Sequence, residues 1–293
     1  MDFRALQLSD IELFRRHFLR LQMQTCDYSV GGMFMWRNYF RMEYAEQNGI
    51  LISRLRDKNG KAYYNLPLAE DMDAALAYTV SALSENGSIS FCTVPKAWLL
   101  HFDALGYNYS LTTQDVFADY VYAAEDLITL AGKKFAGQRN QIHQFERNIK
   151  AWSFEPLTPE NLPAVRAYYA DTHAYAEETG DSKSAENNIV YDVLDHMDTY
   201  RMPGGVLYAD GKIVGFSIGE KIGDVLFTHI EKADRTCKGA YQMLVNRFSA
   251  MYGGDVKYIN REDDAGDAGL RAAKLAYHPI TLLEKYIVEV KTP

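Results

Sequence analysis

Residues 206–230, VLYADGKIVGFSIGEKIGDVLFTHI, decide the fold class. Val206 to Ala209, Ile213 to Lys221 and Val225 to Ile230 are apolar runs separated by Ala209-Asp-Gly211 and by Gly223-Asp224. Runs of this kind bounded by Asp- and Gly-containing turns read as an antiparallel three-strand meander. Toward the C-terminus, Gly239 to Met251 has helical spacing, Val256 to Ile259 reads as a strand, Asp267 to Leu275 as a helix and Ile280 to Val290 as a closing strand. Toward the N-terminus, Pro159 to Tyr175 and the segment around Ser184 to Met197 read as helices. A meander followed by a crossover helix and further strands is an α+β order.

The first part of the chain has the same order in shorter elements. Asp10 opens a helix with Ile11, Phe14, Phe18 and Leu21 on one face, and an apolar, aromatic segment follows at Met33 to Phe40. Gly49 to Leu55 and Ala62 to Leu66 read as a hairpin about Asp57-Lys-Asn-Gly60. A helix over Asp71 to Leu83, a strand over Ser88 to Thr93, a helix starting at Pro95 and stopped by Gly106, and a strand over Val116 to Tyr122 complete the half. The expectation is two domains of similar plan, 1–131 and 132–293, the second opening with a linking helix. The halves share element order and negligible sequence identity.

Bulk composition bounds the function. At 293 residues the chain exceeds the usual size of one domain, and 47% hydrophobic with 24% charged residues is the balance of a globular protein with a substantial core. The 21 Tyr suit half-buried strands and pocket walls. No run approaches the ~20 apolar residues of a membrane helix. The N-terminus lacks a basic region followed by an apolar one, so a cytoplasmic location is expected. Cys26, Cys92 and Cys237 are odd in number and widely spaced, which reads as reduced thiols rather than a disulfide or zinc framework. A formal net charge of -8 argues against general nucleic-acid coating and leaves room for a local basic surface.

Three segments could carry chemistry. The linking segment, LAGKKFAGQRNQIHQFERNIK from Leu130 to Lys150, is basic within an acidic chain, with Lys133, Lys134, Arg139, Arg147 and Lys150 against Glu146. Phe135, Ile142 and Phe145 fall near one side of a helix, and Arg139, His143 and Arg147 on another. That face is either solvated or a landing site for phosphates, with Asn140 and the Arg side chains as donors. The second segment, THIEKADRTCKGAY from Thr228 to Tyr241, runs from a strand through a loop into a helix, whose first amides suit a pyrophosphate or carboxylate. It is similar to the coenzyme A loop of GNAT acyltransferases, Q/R-x-x-G-x-G/A, with Arg235, Lys238 and Ala240 at the aligned positions. Lys238 replaces the first glycine, so coenzyme A is weakly supported as a cofactor.

The third segment is NREDDAGDAGLRAAKLAYHP, Asn260 to Pro279. Asn260, Arg261, Glu262, Asp263 and Asp264 follow a strand, Gly266 and Gly269 loosen the turn, and Asp267 is placed to cap a helix bearing Arg271 and Lys274. The acids with His278 could perform acid/base work, or form an ion-pair network that braces the turn. No metal site is expected, because the acids cluster in one loop and His278 is isolated from any second ligand at metal-binding spacing.

The Gly132-Lys-Lys and Arg139-Asn140 pattern, the Lys238-Gly239 turn and the motif from Asn260 to Pro279 together resemble the C-terminal catalytic domain of phosphatidylglycerol lysyltransferases. The resemblance covers nearly the whole chain. It implies two tandem GNAT-like domains, as in Fem-type peptidyltransferases, and transfer of an aminoacyl group from aminoacyl-tRNA to an amine or hydroxyl. Under it, Glu262 or Asp263 orients or deprotonates the acceptor, and Arg261, Lys274 and His278 stabilise negative charge. Lys133, Lys134, Arg139, Asn140, His143, Arg235, Lys238, Gly239, Asn260 and Tyr277 hold the donor or acceptor. The acceptor, a small molecule, a peptide or a lipid headgroup at a membrane surface, stays open, as do an acyl-coenzyme A donor and a non-catalytic, ligand-binding descendant of the fold.

Overall fold

The computed structural model describes residues 1–172 and 182–292. The first part of the chain carries β1 (Arg4–Ala5), α1 (Ile11–Leu21), α2 (Val30–Phe34), β2 (Glu43–Gln47), β3 (Ile50–Arg56), β4 (Ala62–Tyr64), α3 (Met72–Leu83), β5 (Ser88–Pro95), α4 (Leu99–Ala104), β6 (Asn108–Thr113) and β7 (Asp119–Ala123). The second carries α5 (Ala124–Thr129), α6 (Ala136–Asn148), β8 (Trp152–Pro156), α7 (Leu162–Thr172), α8 (Ser182–Asp195), α9 (Met197–Tyr200), β9 (Gly204–Ala209), β10 (Lys212–Ile222), β11 (Val225–Ala233), α10 (Ala240–Tyr252), β12 (Tyr258–Asn260), α11 (Ala268–Leu275), β13 (Thr281–Leu283) and β14 (Lys285–Lys291). The end of the helix expected to reach Tyr175 lies outside the described residues.

Local chemistry explains the element starts. Asp71 accepts a hydrogen bond from Ala74 N at the head of α3, and Asp267 accepts from Gly269 N and Leu270 N at the head of α11. Asp57 accepts from Asn59 N and Lys61 N to close the β3–β4 hairpin. Ile11, Phe14 and Phe18 bury one face of α1, which ends where Gln22 turns left-handed.

Among the described residues the strands form two seven-stranded mixed sheets, in the orders β1-β2-β3-β4-β5-β14-β6 and β13-β7-β12-β11-β10-β9-β8. The architecture is α+β, two mixed sheets flanked by helices. The meander of residues 206–230 is β9, β10 and β11, and α10 crosses over to place β12 parallel to β11.

Three expectations require correction. The strand expected over Val116 to Tyr122 begins at Asp119, after a short 3-10 turn at Asp115–Phe117. β1, β2, β6 and β8 were not anticipated; the residues of β6, mostly exposed on the sheet edge, show little apolar alternation. The closing strand expected over Ile280 to Val290 breaks at Glu284, and its two pieces enter different sheets. β13 pairs with β7, whereas β14 pairs with β5 and β6. The sheets thus exchange strands: β7, from the first part of the chain, lies inside the second sheet, and β14, at the end of the chain, lies inside the first. The exchange accompanies a shared core, in which Phe14, Phe34, Phe91, Val206, Phe216 and Phe227 belong to one continuous buried cluster. A second core fills the space between the second sheet and helices α5, α6 and α10. No described helix is long and apolar enough to cross a membrane.

Candidate functional site

β11 and β12 run parallel only from Val225↔Tyr258 to Phe227↔Asn260. Beyond that point Arg261 N donates to Tyr120 O, and Tyr120 N donates to Glu262 O, so the chain follows β7 while β11 continues to Ala233 paired with β10. The strands therefore part, and two side-chain pairs span the opening. Arg261 Nε and Nη2 donate to Glu231 Oε2 at 3.1 and 2.6 Å, and His229 Nδ1 lies 2.6 Å from Glu262 Oε1. The His229 side chain is fully buried although the residue is half-buried, so its exposed part is backbone on the opened edge of β11.

His229 is held from both sides. Its Nε2 lies 2.9 Å from Glu220 Oε1, and that oxygen also accepts from Gly31 N in α2 at 2.6 Å. Burial on its own lowers the imidazole pKa, but the two carboxylates outweigh it and hold the proton on up to about 10. His229 is thus an imidazolium at neutral pH and serves as a brace rather than a base.

The Asn260 to Asp264 loop is fixed at every residue. Asn260 Nδ2 donates to Gln24 O and to Asp119 Oδ2, both at 2.8 Å, and its Oδ1 accepts from Glu262 N. Lys274, buried at 5% exposure, donates to the carbonyl oxygens of Arg261 and Asp263, so its ammonium is committed to the loop backbone. Asp264 accepts from Arg271 and from Tyr120 Oη. Glu262 takes a left-handed backbone, φ 58°, held by the His229 contact.

A second buried cluster lies beneath. Lys285 Nζ sits 2.6 Å from Asp119 Oδ1, 2.6 Å from Asp27 Oδ2 and 3.4 Å from Cys26 Sγ. Cys26 N donates to Asp119 Oδ2 at 2.7 Å. Cys26, Asp119 and Asp263 each place one potential ligand atom within 4.8 Å of the others, a metal-capable grouping that the spacing of these residues in the chain could not reveal. The Lys285 ammonium supplies positive charge at two of those three residues. Burial drives the Asp263 carboxyl up to about 7, with the neighbouring Glu262 and Asp119 charges adding to it and Lys285 opposing.

Two buried polar groups beside the opening have no hydrogen-bond partner. They are Arg261 Nη1 and Tyr277 Oη, and the guanidinium carbon stands 4.9 Å from the centroid of the Tyr277 ring. A buried donor without a partner is costly, so it marks a place where a ligand oxygen would be favoured.

Residues 18–289 match the family model described as phosphatidylglycerol lysyltransferase, C-terminal. The chain belongs to that family. A conserved protein of unknown function from Bacteroides thetaiotaomicron is 28% identical, with 99% of this chain and 100% of that one covered and a TM-score of 0.87. The C-terminal domain of a putative lysylphosphatidylglycerol synthetase from Agrobacterium fabrum is 13% identical, with 97% and 92% covered and a TM-score of 0.66, which shows a common fold. An uncharacterised protein of Mycoplasmoides gallisepticum is 24% identical over 180 residues, 59% of this chain, and the match spans 56% of that relative's length.

Within this lysyltransferase-family chain, the residues singled out from sequence divide into three groups. Asn260, Arg261, Glu262, Asp263, Lys274 and Tyr277 come together at the strand opening. His278 does not join them: its Nε2 contacts Lys134 O at 2.9 Å and its ring meets the edge of Phe135, so it fastens the chain after α11 to the start of the linking segment. Lys134 pairs with Asp126, Arg139 donates to the carbonyls of Leu130 and Gly132, and His143 pairs with Glu146, while Lys133 and Asn140 are exposed. Arg139 and His143 also line a separate pocket of about 220 Å³ with Asn246 and Arg247. Arg235 and Lys238 are exposed at the head of α10; Gly239, at φ 84°, packs so closely on α6 that an added Cβ would lie 2.2 Å from Gln141 O.

Sequence reading missed Glu220, His229, Glu231, Cys26, Asp27, Asp119 and Lys285. A signal was present for the first two. Glu220 interrupts the inward stripe Ile218-Glu220-Ile222, and His229 follows Phe227 at strand spacing; charged side chains on the core-facing side of a strand call for partners. The bulge at His229 then reverses the alternation, so that Ile230 faces the same core and Glu231 the opposite side.

Proposed function

We propose that this chain is an aminoacyltransferase that moves an aminoacyl group from aminoacyl-tRNA to an acceptor nucleophile at the opening between β11 and β12. The observation that carries the reading is that one loop holds both a buried, unpartnered Arg261 Nη1 and an Asp263 carboxyl pushed up to about 7. A group poised near neutrality is matched to accept and return a proton at working pH. A prearranged donor is matched to an oxygen on which charge develops.

In this mechanism the acceptor nitrogen or hydroxyl oxygen attacks the ester carbonyl carbon of the aminoacyl group and forms a new bond. The carbonyl electron pair moves to oxygen, where Arg261 Nη1 and Tyr277 Oη donate to it. Asp263 takes the acceptor's proton. Collapse breaks the ester C–O bond, and Asp263 returns the proton to the departing ribose oxygen. Lys274 and the His229 brace keep the loop in place, and Glu262, committed to His229, is an orienting group rather than the base. Lys133, Arg235 and Lys238 are exposed with no ion pair shown among the described residues, as are Arg147 and Lys150 of the linking segment, and these cations are available to tRNA phosphates.

The test is incubation with tRNAs charged with labelled amino acids and a mixture of amine and hydroxyl acceptors. Label passes to an acceptor with the wild-type chain, and Asp263→Asn lowers the rate by about 100-fold or more. Failure of every charged tRNA to lose label faster than in buffer, together with a saturable thermal shift by coenzyme A, would replace the donor in this reading by an acyl-coenzyme A.

A further inference from the structure

Among the described residues, six arginines are half-buried or buried: Arg15, Arg37, Arg54, Arg139, Arg247 and Arg261. Four of them face a carboxylate, Glu12, Asp192, Glu43 and Glu231 in turn. Arg139 and Arg247 have none among the described residues, and both line the pocket of about 220 Å³ between α5, α6 and α10. A partly desolvated guanidinium without a counter-charge is costly, so two of them facing one pocket mark a place where an anion would be favoured.

Both side chains keep donors in hand. Arg247 Nε meets Met243 Sδ at 3.4 Å, a weak acceptor, and its guanidinium carbon stands 5.2 Å from the Trp152 ring centroid. Arg139 uses Nη1 on the carbonyls of Leu130 and Gly132, which leaves Nε and Nη2. The one acid lining the pocket, Glu146, lies 3.2 Å from His143 Nδ1. The carbonyls at the end of α5 are also engaged: Asn246 Nδ2 takes those of Leu127 and Ile128, and Arg139 that of Leu130, so they oppose an anion less. The volume is below the roughly 300–1,000 Å³ of a site for a whole small molecule, and suits one group of a ligand.

We propose that this pocket binds one terminal phosphate group, inorganic phosphate or a phosphomonoester, between Arg139 and Arg247. A terminal phosphate carries a charge of about −1.5 to −2 at neutral pH and three or more acceptor oxygens, which matches two guanidiniums better than a carboxylate or a phosphodiester does. Ile128 and Ile142 in the walls leave little competing water, which strengthens the contact. The pocket shares no residue with the opening between β11 and β12, so the proposal stands without the aminoacyl-transfer reading. Under that reading, the phosphorylated 5′ end of an RNA is a second source of the same group.

Calorimetric titration of the full chain with inorganic phosphate, at ionic strength held constant with chloride, tests the inference. Phosphate binds saturably with a Kd of about 5 mM or lower, and Arg247→Met weakens it by about tenfold or more. Arg16→Met, which removes the same charge from an exposed position on α1, leaves binding unchanged. Thr129→Trp, a filling change at an exposed wall position, also abolishes binding and covers the case of an Arg247 variant that does not fold. Competition with a short RNA then identifies the source. Displacement of phosphate by the 5′-phosphorylated RNA but not by its 5′-hydroxyl form assigns the pocket to an RNA end, and displacement by neither assigns it to free phosphate or a small phosphomonoester. Equal displacement by both RNAs, no saturation beyond the chloride control, or equal phosphate binding by the wild type and a folded Arg247→Met overturns the proposal, and label transfer from charged tRNA would leave the aminoacyltransferase reading standing.

Discussion

His229 Nδ1 lies 2.6 Å from Glu262 Oε1, across the gap that opens between β11 and β12. The pair ties the strand edge to the loop that carries Asp263, and it makes stability depend on pH in a definite direction. The folded-state pKa, about 10, lies above the unfolded value of about 6.5. The stabilisation by the imidazolium is therefore fully present below about pH 6.5 and is lost as pH rises toward 10. One proton gives a slope of at most about 1.4 kcal/mol per pH unit. Urea unfolding at several pH values should show this fall between pH 6.5 and 10 in the wild type and its loss in His229→Gln. Parallel curves for the two proteins would rule out His229 as the source.

Gly31 is where α2 meets that brace. Its N–H donates to Glu220 and a Cβ built on it would stand 2.3 Å from the His229 ring. Gly31→Ala must displace the imidazole, at a cost of about 1–3 kcal/mol. Denaturant unfolding measures it, and an unchanged midpoint would mean that α2 shifts freely.

Lys285 Nζ neutralises Asp27 and Asp119 in the interior. Burial alone would lower its pKa, but the two carboxylates outweigh that and hold it well above the usual lysine value. Lys285→Met leaves buried carboxylates without a counter-charge and should cost about 3–5 kcal/mol. Adding Asp27→Asn should restore part of the loss. A thermal-melting comparison of the single and double variants decides, and strictly additive losses would show that the two residues do not interact.

Arg261 uses two nitrogens on Glu231 and keeps a third free. Arg261→Lys keeps a cation for Glu231 but not the forked geometry, so transfer should fall by about 100-fold or more. The fold should survive, as read by circular dichroism and melting temperature. Full activity in Arg261→Lys would remove the guanidinium from the reaction.

The parts of the site that were legible in the sequence are those built by neighbouring residues. Asn260 through Asp264, the Asp267 cap, Lys274 and Tyr277 lie within a span that one turn and one helix bring together, so charge density and glycine spacing marked them. The role of Lys274 was not legible. A lysine near carboxylates reads as a charge for a substrate, whereas burial against the carbonyls of Arg261 and Asp263 makes it a strut. His278 likewise follows the motif in sequence but turns away to Lys134.

By itself the sequence determined the α+β order, the meander of residues 206–230, the Asp267 cap of α11 and the charge-dense segment after β12, because hydrophobic period and capping are local properties of the chain. Only the tertiary structure decided that the closing strand breaks at Glu284 and that β7 and β14 sit in each other's sheets. It alone decided that Asp27, Asp119 and Lys285, from distant segments, share one buried cluster. Strand pairing over such separations is fixed by register and by the joint burial of both cores, and a buried charge is tolerated only where the fold brings its counter-charge.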